Sequence, residues 1–245
     1  PADVTVQPVA LQTFPVTFEY VGQTQGSKDV EVRARVTGII EKRLFEEGAD
    51  VKEGDLLFTL DKAPYQVEID RINADISGAQ AALNVASISL QRQATLVKKE
   101  VAAVAVLDQV TAKQLEAKAQ LQSQQAALEK AQLDLGYTDI HAPLSGRIGK
   151  ATYSVGDLVG PASGTLATIV SQDPIYVTFP VSQRELLEVR KEAEANGTDA
   201  RAVRVKVQLA DRSFYDQDGT INFVDVTVSA TTDTVAIRAQ LPNPK

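Results

Sequence analysis

The sequence of 245 residues contains no cysteine, no methionine, no tryptophan and a single histidine. The absence of cysteine excludes a disulfide framework, a thiolate nucleophile and a cysteine-based zinc site. Basic residues are also in deficit, because 25 Lys and Arg stand against 32 Asp and Glu, which gives a net charge of −7. We therefore expect no nucleic-acid partner, since a phosphate backbone is bound by a basic surface.

Long hydrophobic runs are absent as well. The longest uncharged stretches, such as residues 76–91 and 158–172, are interrupted by Ser, Asn or Gln and are too short to cross a bilayer. No signal peptide is present, and the sequence starts at Pro1 instead of Met. We therefore expect that a targeting segment has been removed.

Glycine and proline are almost missing from the middle of the chain. Residues 65–135 contain Gly78 as their only glycine and no proline, whereas both residue types are frequent on either side. This distribution predicts helices in the middle and strands in the flanks. We expect Asp61 to be the helix N-cap with Pro64 in the first turn, and Gly136 to be the C′ residue that ends the helical region.

Two series within this region repeat at alternating spacings of three and four residues. The first is Ile69, Ile72, Ile76, Ala79, Leu83, Ala86 and Leu90, and the second is Leu107, Val110, Gln114, Ala117, Leu121, Gln124, Leu128, Ala131 and Leu135. Such narrow seams indicate a coiled coil, and the register breaks at residues 98–106. We predict an antiparallel helical hairpin whose arms, about 33 residues each, reach about 50 Å.

The flanks predict short strands at residues 30–36, 38–45 and 55–60 before the hairpin, and at 140–142, 146–151 and 166–170 after it. Five residue pairs of like type share one offset of 108 positions: Ala34/Ala142, Gly38/Gly146, Ile40/Ile148, Gly48/Gly156 and Val51/Val159. This internal repeat predicts two β half-motifs that pack on each other, with the hairpin inserted between them. Further antiparallel strands are expected at 202–209, 220–228 and 235–241.

This arrangement resembles the periplasmic adaptor proteins, also called membrane fusion proteins, of tripartite efflux pumps. The amino-acid sequences of several segments are similar to those of that family. They are most similar to those of the adaptors of resistance-nodulation-division (RND) transporters. These segments are 35–41 (RVTGIIE), 47–61 (EGADVKEGDLLFTLD), 63–66 (APYQ), 138–149 (TDIHAPLSGRIG), 155–159 (VGDLV), 173–179 (DPIYVTF), 219–225 (GTINFVD) and 238–244 (RAQLPNP). In the family the chain would continue beyond Asn243-Pro244 with a last barrel strand and a membrane-proximal domain.

The resemblance implies an elongated α+β chain of three modules. These are an antiparallel β-barrel formed by residues 1–29 and 171–245 and incomplete at its C-terminus, a lipoyl-like β-sandwich in two halves formed by 30–62 and 136–170, and a coiled-coil α-hairpin formed by 63–135. The ends of the hairpin at Asp61 and Gly136 are candidate hinges, since element ends absorb backbone rotation.

The resemblance also implies a docking site at the hairpin tip. Family adaptors carry an Arg, Leu, Ser signature there, which contacts an outer-membrane channel. Arg92 and Leu96 match it in spacing and context, whereas the Ser position falls on Ala103. The residues implied in channel docking are Arg92, Leu96, Val97, Lys98, Lys99, Ala103 and Val104. Residues 101–106 (VAAVAV) form a small apolar run, which on its own could equally close the turn between the helices.

Two residues suggest other chemistry. Asp61-Lys62-Ala63 resembles the tripeptide that carries the lipoyl group in acyl-carrier domains, but about 73 helical residues separate the two halves here. A lysine at a helix start cannot be displayed on a hairpin turn, so we expect Lys62 to be a solvated first-turn residue. His141 stands without cysteines or clustered carboxylates, and we expect a structural or surface role instead of metal binding.

The function implied by the resemblance is that of a periplasmic adaptor for multidrug efflux. It would link an inner-membrane RND drug/proton antiporter to an outer-membrane TolC-like channel, assemble as a ring of six copies, and reside in the periplasm with its anchor or signal segment removed. No catalytic residue, cofactor or metal is implied. The alternatives are an adaptor of an ABC or major-facilitator exporter, a lipoyl-type cofactor carrier, and a free coiled-coil scaffold.

Overall fold

The computed structural model describes residues 17–197 and 203–244. The predicted barrel residues 1–16 and 245, and the first residue of the predicted strand 202–209, lie outside this part. The chain divides into two compact units. The first, here called the central unit, is Lys28–Ser171, and the second, the terminal unit, comprises Pro1–Ser27 and Gln172–Lys245.

The elements, in chain order, are β1 (Gln23–Val32), β2 (Gly38–Arg43), β3 (Asp50–Val51), β4 (Leu56–Leu60), α1 (Ala63–Lys98), α2 (Val104–Gly136), β5 (Asp139–His141), β6 (Gly146–Ile148), β7 (Leu158–Val159), β8 (Ala167–Ser182), α3 (Gln183–Asn196), β9 (Arg204–Val205), β10 (Gly219–Ser229) and β11 (Thr234–Leu241). Strands β1 and β8 each continue from one unit into the other. The structure therefore joins the predicted strand 166–170 to the segment after Pro174 without a break.

The central unit combines a small β-sandwich with the helical hairpin. One sheet has the strand order β5-β4-β2-β7, and the other pairs β3 with β6 and β6 with the start of β8. Their facing side chains form one core, which includes Val32, Ala34, Ile40, Leu57, Phe58, Leu60, Ile140, Ile148, Val159, Leu166 and Ile169. The predicted strand 30–36 is displaced toward the N-terminus, because β1 begins at Gln23 and ends at Val32. The predicted strand 146–151 ends at Ile148.

The internal repeat is confirmed in the backbone pairing. Gly38 pairs with Val159 and Ile39 with Leu158, and 108 positions away Gly146 pairs with Val51 and Arg147 with Asp50. The turns repeat too: the Gly156 amide donates to the Ile40 carbonyl at 2.9 Å, and the Gly48 amide donates to the Ile148 carbonyl at 2.9 Å. The two glycines share the left-handed conformation, with φ of 98° and 81°. Both half-motifs therefore have the same fold.

The predicted hairpin and its seams are also confirmed. Helices α1 and α2 contact each other along their length, and the connection between them spans residues 99–103. Every residue of the two predicted series is buried or half-buried. Near the sandwich the seam includes the buried residues Ile69, Ile72 and Ala131. The alternating spacing of apolar residues thus determines which face of each helix meets the other.

Both predicted caps of the hairpin were wrong in detail. Lys62, not Asp61, holds the N-cap position of α1, although the Asp61 carboxylate accepts a hydrogen bond from the Ala63 amide at 2.9 Å. Gly136 is the last residue of α2 and does not adopt a positive φ. The helix ends without glycine geometry, and the terminal carbonyl of Leu135 accepts hydrogen bonds from the Thr138 amide at 3.1 Å and from the Thr138 hydroxyl at 2.6 Å.

The terminal unit contains an antiparallel sheet in the order β8-β11-β10-β9. Its core includes Val177, Phe179, Val181, Ile237, Ala239 and Leu241, with Leu186 and Tyr215 packed against it. Helix α3 lies where the sequence pattern predicted only strands. Ser182 precedes it with the spacing of a capping box, and the Glu185 amide donates to the Ser182 hydroxyl at 3.5 Å. The predicted strand 202–209 is reduced to Arg204–Val205 within the described residues.

Candidate functional site

Helix α1 ends at the hairpin tip in a Schellman motif. The Val101 amide donates to the Leu96 carbonyl at 3.0 Å, and the Glu100 amide donates to the Val97 carbonyl at 2.9 Å. Glu100 adopts the left-handed conformation that the motif requires, with φ of 60°. Sequence reasoning missed this turn because the position is occupied by a glutamate instead of the usual glycine.

Helix α2 begins at the tip without a side-chain cap. Its N-cap residue is Ala103, whose extended backbone has φ of −74° and ψ of 142°. A serine at an N-cap accepts a hydrogen bond from an amide in the first helical turn, which alanine cannot do. The position at which the family signature has serine is therefore a helix N-cap in this chain.

The residues implied in docking lie within the last two turns of α1, the connection and the first residue of α2, and we call them the tip surface: Arg92, Leu96, Val97, Lys98, Lys99, Ala103 and Val104. Val104 is 61% exposed, and its neighbour in the connection, Val101, is 74% exposed. Val97 is half-buried, whereas the other six residues of the tip surface are exposed. Arg92 and Leu96 are four residues apart on α1, so they share a helix face.

The cations of the tip surface form no ion pair within the described part of the chain. Among residues 17–197 and 203–244, no Asp or Glu carboxylate lies within 4 Å of the charged groups of Arg92, Lys98 or Lys99. Further down α1 the pattern is different, because Arg71 contacts both Glu68 and Asp75 at 2.7 Å. Hydrogen bonds from Arg71 lower the pKa of Glu68, and the same contacts raise the pKa of Arg71. The tip thus combines exposed apolar groups with positive charges that form no ion pair with a described carboxylate.

The flank of the hairpin below the tip carries a shallow apolar groove. It is lined by Ala81, Ala82, Val85, Ala86, Ser89, Val110 and Lys113. Along α1 this groove falls within residues 76–91, a stretch without any charged residue. Helix α1 therefore changes from charged near the sandwich to uncharged along its middle, whereas α2 contributes the charged Lys113 to the groove.

The two repeat-related surfaces of the sandwich differ in chemistry. Ile39 and Leu158, which face each other across β2 and β7, are 47% and 65% exposed. Their equivalents in the other half are Arg147 and Asp50, which are exposed charged residues. Val155, in the turn before β7, adds a further exposed apolar side chain. One end of the sandwich is therefore apolar, and the equivalent end is charged.

The base of the hairpin is fastened to the sandwich by polar contacts. The Lys62 ammonium contacts the Asp139 carboxylate at 2.6 Å and so joins the residue before α1 to the strand after α2. The Tyr65 hydroxyl donates to the Thr37 carbonyl at 2.6 Å. Burial and the nearby Asp134 carboxylate raise the pKa of the Tyr65 phenol, against the opposing effect of that hydrogen bond.

The residues that suggested other chemistry have ordinary environments. Lys62 is engaged in the ion pair with Asp139 at the start of a helix. His141 is exposed, and its Nδ1 atom lies 2.9 Å from the Gly54 carbonyl oxygen. Within residues 17–197 and 203–244, no group of three or more His, Asp or Glu side chains is placed to hold a metal ion. None of the described helices is both long and apolar enough to cross a membrane.

Comparison with known families gives matches over both units. The barrel-sandwich hybrid domain of RND membrane fusion proteins matches residues 28–172, and the β-barrel domain of RND membrane fusion proteins matches residues 174–245. These limits follow the two compact units seen in the structure.

Individual proteins with similar sequences are linkers or subunits of efflux pumps. The efflux pump periplasmic linker BepF of Brucella suis biovar 1 is 46% identical over 227 residues, covering 93% of this chain and 55% of the relative. The multidrug efflux pump subunit AcrA of Escherichia coli K12 is 38% identical over 245 residues, covering 98% of this chain and 61% of that protein. The chain thus spans somewhat more than half the length of these relatives.

A solved structure shares the fold. The membrane fusion protein Spr0693 from Streptococcus pneumoniae R6 superposes with a TM-score of 0.66, covering 91% of this chain and 92% of that chain. The sequence identity between the two is 16%, so this likeness concerns the fold alone.

Proposed function

Because this chain belongs to the membrane fusion proteins of RND transporters, we propose that it is the periplasmic adaptor of a tripartite multidrug efflux pump. In this role it links an inner-membrane RND drug/proton antiporter to an outer-membrane TolC-like channel, and so contributes to antibiotic resistance. The observation that carries the proposal is the succession of the two family domains over residues 28–245, with a long hairpin inserted in the first.

We propose that the adaptor is not an enzyme and works by binding. Each of the three modules predicted from the sequence contacts a different partner. Residues 63–135 reach the channel, 30–62 and 136–170 associate with neighbouring copies, and 1–29 and 171–245 contact the transporter. A helix of 36 residues such as α1 extends about 50 Å at 1.5 Å per residue. The hairpin is therefore long enough to carry a binding surface well away from the sandwich.

Channel docking is assigned to the tip surface. Exposed Leu96 and Val104 offer apolar contact, and the charges of Arg92, Lys98 and Lys99 favour an acidic partner. Ala103 lacks the hydroxyl of the family signature, so docking in this chain relies on the apolar and cationic groups around it. The Schellman turn supports this role, because its two hydrogen bonds connect the end of α1 to the residues that lead into α2.

Self-association into a ring is assigned to the sandwich. The apolar end formed by Ile39, Val155 and Leu158 is exposed in the single chain, whereas the equivalent end carries Arg147 and Asp50. A neighbouring copy would remove this apolar surface from water, which is the main source of association free energy. The expected assembly in the pump is a homo-oligomeric ring of six copies.

The hinge positions proposed are Asp61 and Gly136. Each is the point at which the chain passes between sandwich and hairpin, and the Lys62–Asp139 ion pair spans them. A disulfide engineered across these ends would test the hinge, since the chain has no native cysteine. Export that is lost when the disulfide is closed and restored on reduction would support a hinge, whereas unchanged export would contradict it.

The function is tested by purifying the full-length protein from cells that produce it and identifying the membrane proteins that copurify. We expect an RND transporter and an outer-membrane channel to copurify, and deletion of residues 63–135 to remove the channel while leaving the transporter. Recovery of an ABC or major-facilitator exporter instead would contradict the RND assignment. Recovery of no membrane partner would contradict the adaptor role.

A further inference from the structure

The outer face of the terminal-unit sheet carries a cluster of aromatic and cationic side chains. Strand pairing places Arg238 on β11 directly between Thr178 on β8 and Phe223 on β10. The next row of the same face contains Tyr176, Gln240 and Thr220. The opposite face of these strands forms the core, so this outer face faces away from it.

The Arg238 guanidinium is held between two aromatic rings. Its central carbon lies 4.3 Å from the centre of the Tyr176 ring and 5.2 Å from that of the Phe223 ring. Its Nε donates to the Asn222 amide oxygen at 3.2 Å, and Asn222 in turn donates to Gln240 at 3.3 Å. Stacking and this one hydrogen bond fix the orientation of the guanidinium plane.

The outer edge of this guanidinium has no partner among the described residues. No carboxylate of that part of the chain lies within 4 Å of Arg238, and neither terminal nitrogen donates a hydrogen bond within the described ranges. Four other arginines differ from Arg238, because each contacts a carboxylate: Arg33, Arg43, Arg71 and Arg204. Arg238 is therefore oriented by its neighbours, but its charge is not neutralised by them.

An oriented guanidinium with two free terminal N–H edges is suited to bidentate binding of a carboxylate. Phe223, which is 46% exposed, offers apolar surface beside it, and aromatic residues with arginine are the side chains enriched in protein interfaces. A free small anion would not use this apolar surface. The cluster therefore fits a protein segment that carries an Asp or Glu next to an apolar side chain.

We propose that the cluster of Arg238, Tyr176, Phe223 and Asn222 binds an acidic loop of the inner-membrane transporter. This inference rests on the proposed function, which leaves the terminal unit to contact the transporter. The Arg238 guanidinium supplies the charge-assisted hydrogen bonds, the two rings keep it in place, and Asn222 sets its rotation. Arg238 is thus the specificity-determining residue of this contact.

The experiment uses the full-length protein in cells with its intact pump. A photo-crosslinking amino acid replaces Thr220, an exposed residue of the same face, and the matched control carries it at Gln217, an exposed residue outside the strands. We expect the Thr220 variant to crosslink to a transporter segment that contains an Asp or Glu within a few residues of the adduct. Adding Arg238→Glu should lower the adduct yield by about tenfold or more, and Arg238→Lys should lower it less.

Charge reversal on the partner separates recognition from misfolding. Replacing the mapped Asp or Glu by Arg should restore the adduct with the Arg238→Glu variant. A yield that Arg238→Glu leaves unchanged, an adduct on a segment without carboxylates, or an adduct with a second copy of this chain would overturn the inference. A parallel crosslinker at Val101 reports the channel. If Val101 reaches the channel and Thr220 fails to reach the transporter, the inference alone fails, and if neither forms an adduct the proposed function fails.

Discussion

At the residue scale, two positions of the hairpin tip hold side chains that are poorly matched to their backbone. Glu100 occupies the left-handed position of a Schellman motif. For a residue with a side chain, this conformation costs about 1–2 kcal/mol of conformational free energy. Ala103 occupies an N-cap without a side-chain acceptor. Ala103 belongs to the tip surface and Glu100 lies beside it, so we expect better-matched side chains at these two positions to stabilise the hairpin.

We expect Glu100→Gly to stabilise the hairpin by about 0.5–1 kcal/mol, because glycine adopts positive φ without the steric penalty and loses part of the gain to its greater freedom when unfolded. Urea unfolding followed by far-UV circular dichroism measures the change. Glu100→Ala is the matched control, since it removes the same charge but keeps the penalty. An equal gain in both variants would show that the charge, and not the conformation, is responsible.

We expect Ala103→Ser to stabilise α2 by about 1 kcal/mol, because the hydroxyl can accept an amide hydrogen of the first turn. The same unfolding measurement applies. Ala105→Ser, two residues further into the helix, should give no gain. Equal gains from both serines would contradict the position of Ala103 as the N-cap of α2.

The buried residues of both half-motifs could be predicted from the sequence because they follow a repeat. Ala34 and Ala142 are each 3% exposed, and Ile40 and Ile148 are each 1% exposed. Glu100 could not be predicted, because its conformation is imposed by hydrogen bonds from Val101 and from Glu100 itself to the end of α1. Without a glycine at the left-handed position, the residue types around it do not indicate such a turn.

At the element scale, the hairpin depends on a narrow seam. Leu121 is 8% exposed in this seam, whereas Leu115 on the same helix is 57% exposed. The remaining faces of α2 are mostly polar, so few other contacts can replace a lost seam residue.

We expect Leu121→Ala to destabilise the hairpin by about 2–3 kcal/mol, the usual cost of removing a buried leucine side chain. Leu115→Ala should change stability by less than about 0.5 kcal/mol, because its side chain is already largely in water. Urea unfolding monitored at the helical signal compares the two. Equal losses would contradict the assignment of the seam.

The helices of the hairpin were predictable and α3 was not, for a physical reason. The hairpin seam repeats over many turns, whereas α3 has 14 residues and lies between strands. Its capping-box spacing from Ser182 to Glu185 and the terminal Gly197, with φ of 64°, were available signals. Gly136 shows that a glycine at a helix end does not have to adopt a positive φ. It is the last residue of α2, and the carbonyl of Leu135 is bonded to Thr138.

At the scale of the whole molecule, the two ends of the sandwich are related by the repeat but opposite in chemistry. Ile39 and Leu158 form the apolar end, and Arg147 and Asp50 the charged end. The repeat predicts the common backbone. It cannot predict which end is suited to association, because that depends on the side chains that differ between the halves.

We expect Leu158→Asp to weaken self-association of the full-length protein by about tenfold, because it places a charge in a surface that association buries. Analytical ultracentrifugation at several concentrations measures the effect. The matched control is Asp50→Asn at the repeat-related position, which should leave association close to that of the parent. A larger effect of Asp50→Asn would assign association to the charged end.

The hairpin tip is proposed to bind an outer-membrane channel. The most direct test of this proposal places a single cysteine at Val101, which is 74% exposed, in the full-length protein, labels it with a photo-crosslinker in cells, and identifies the adduct by mass spectrometry. Ser123→Cys, on the exposed side of α2, is the control. We expect an outer-membrane channel in the Val101 adduct and none in the Ser123 adduct. Adducts with the channel from neither position, or equally from both, would contradict the proposal.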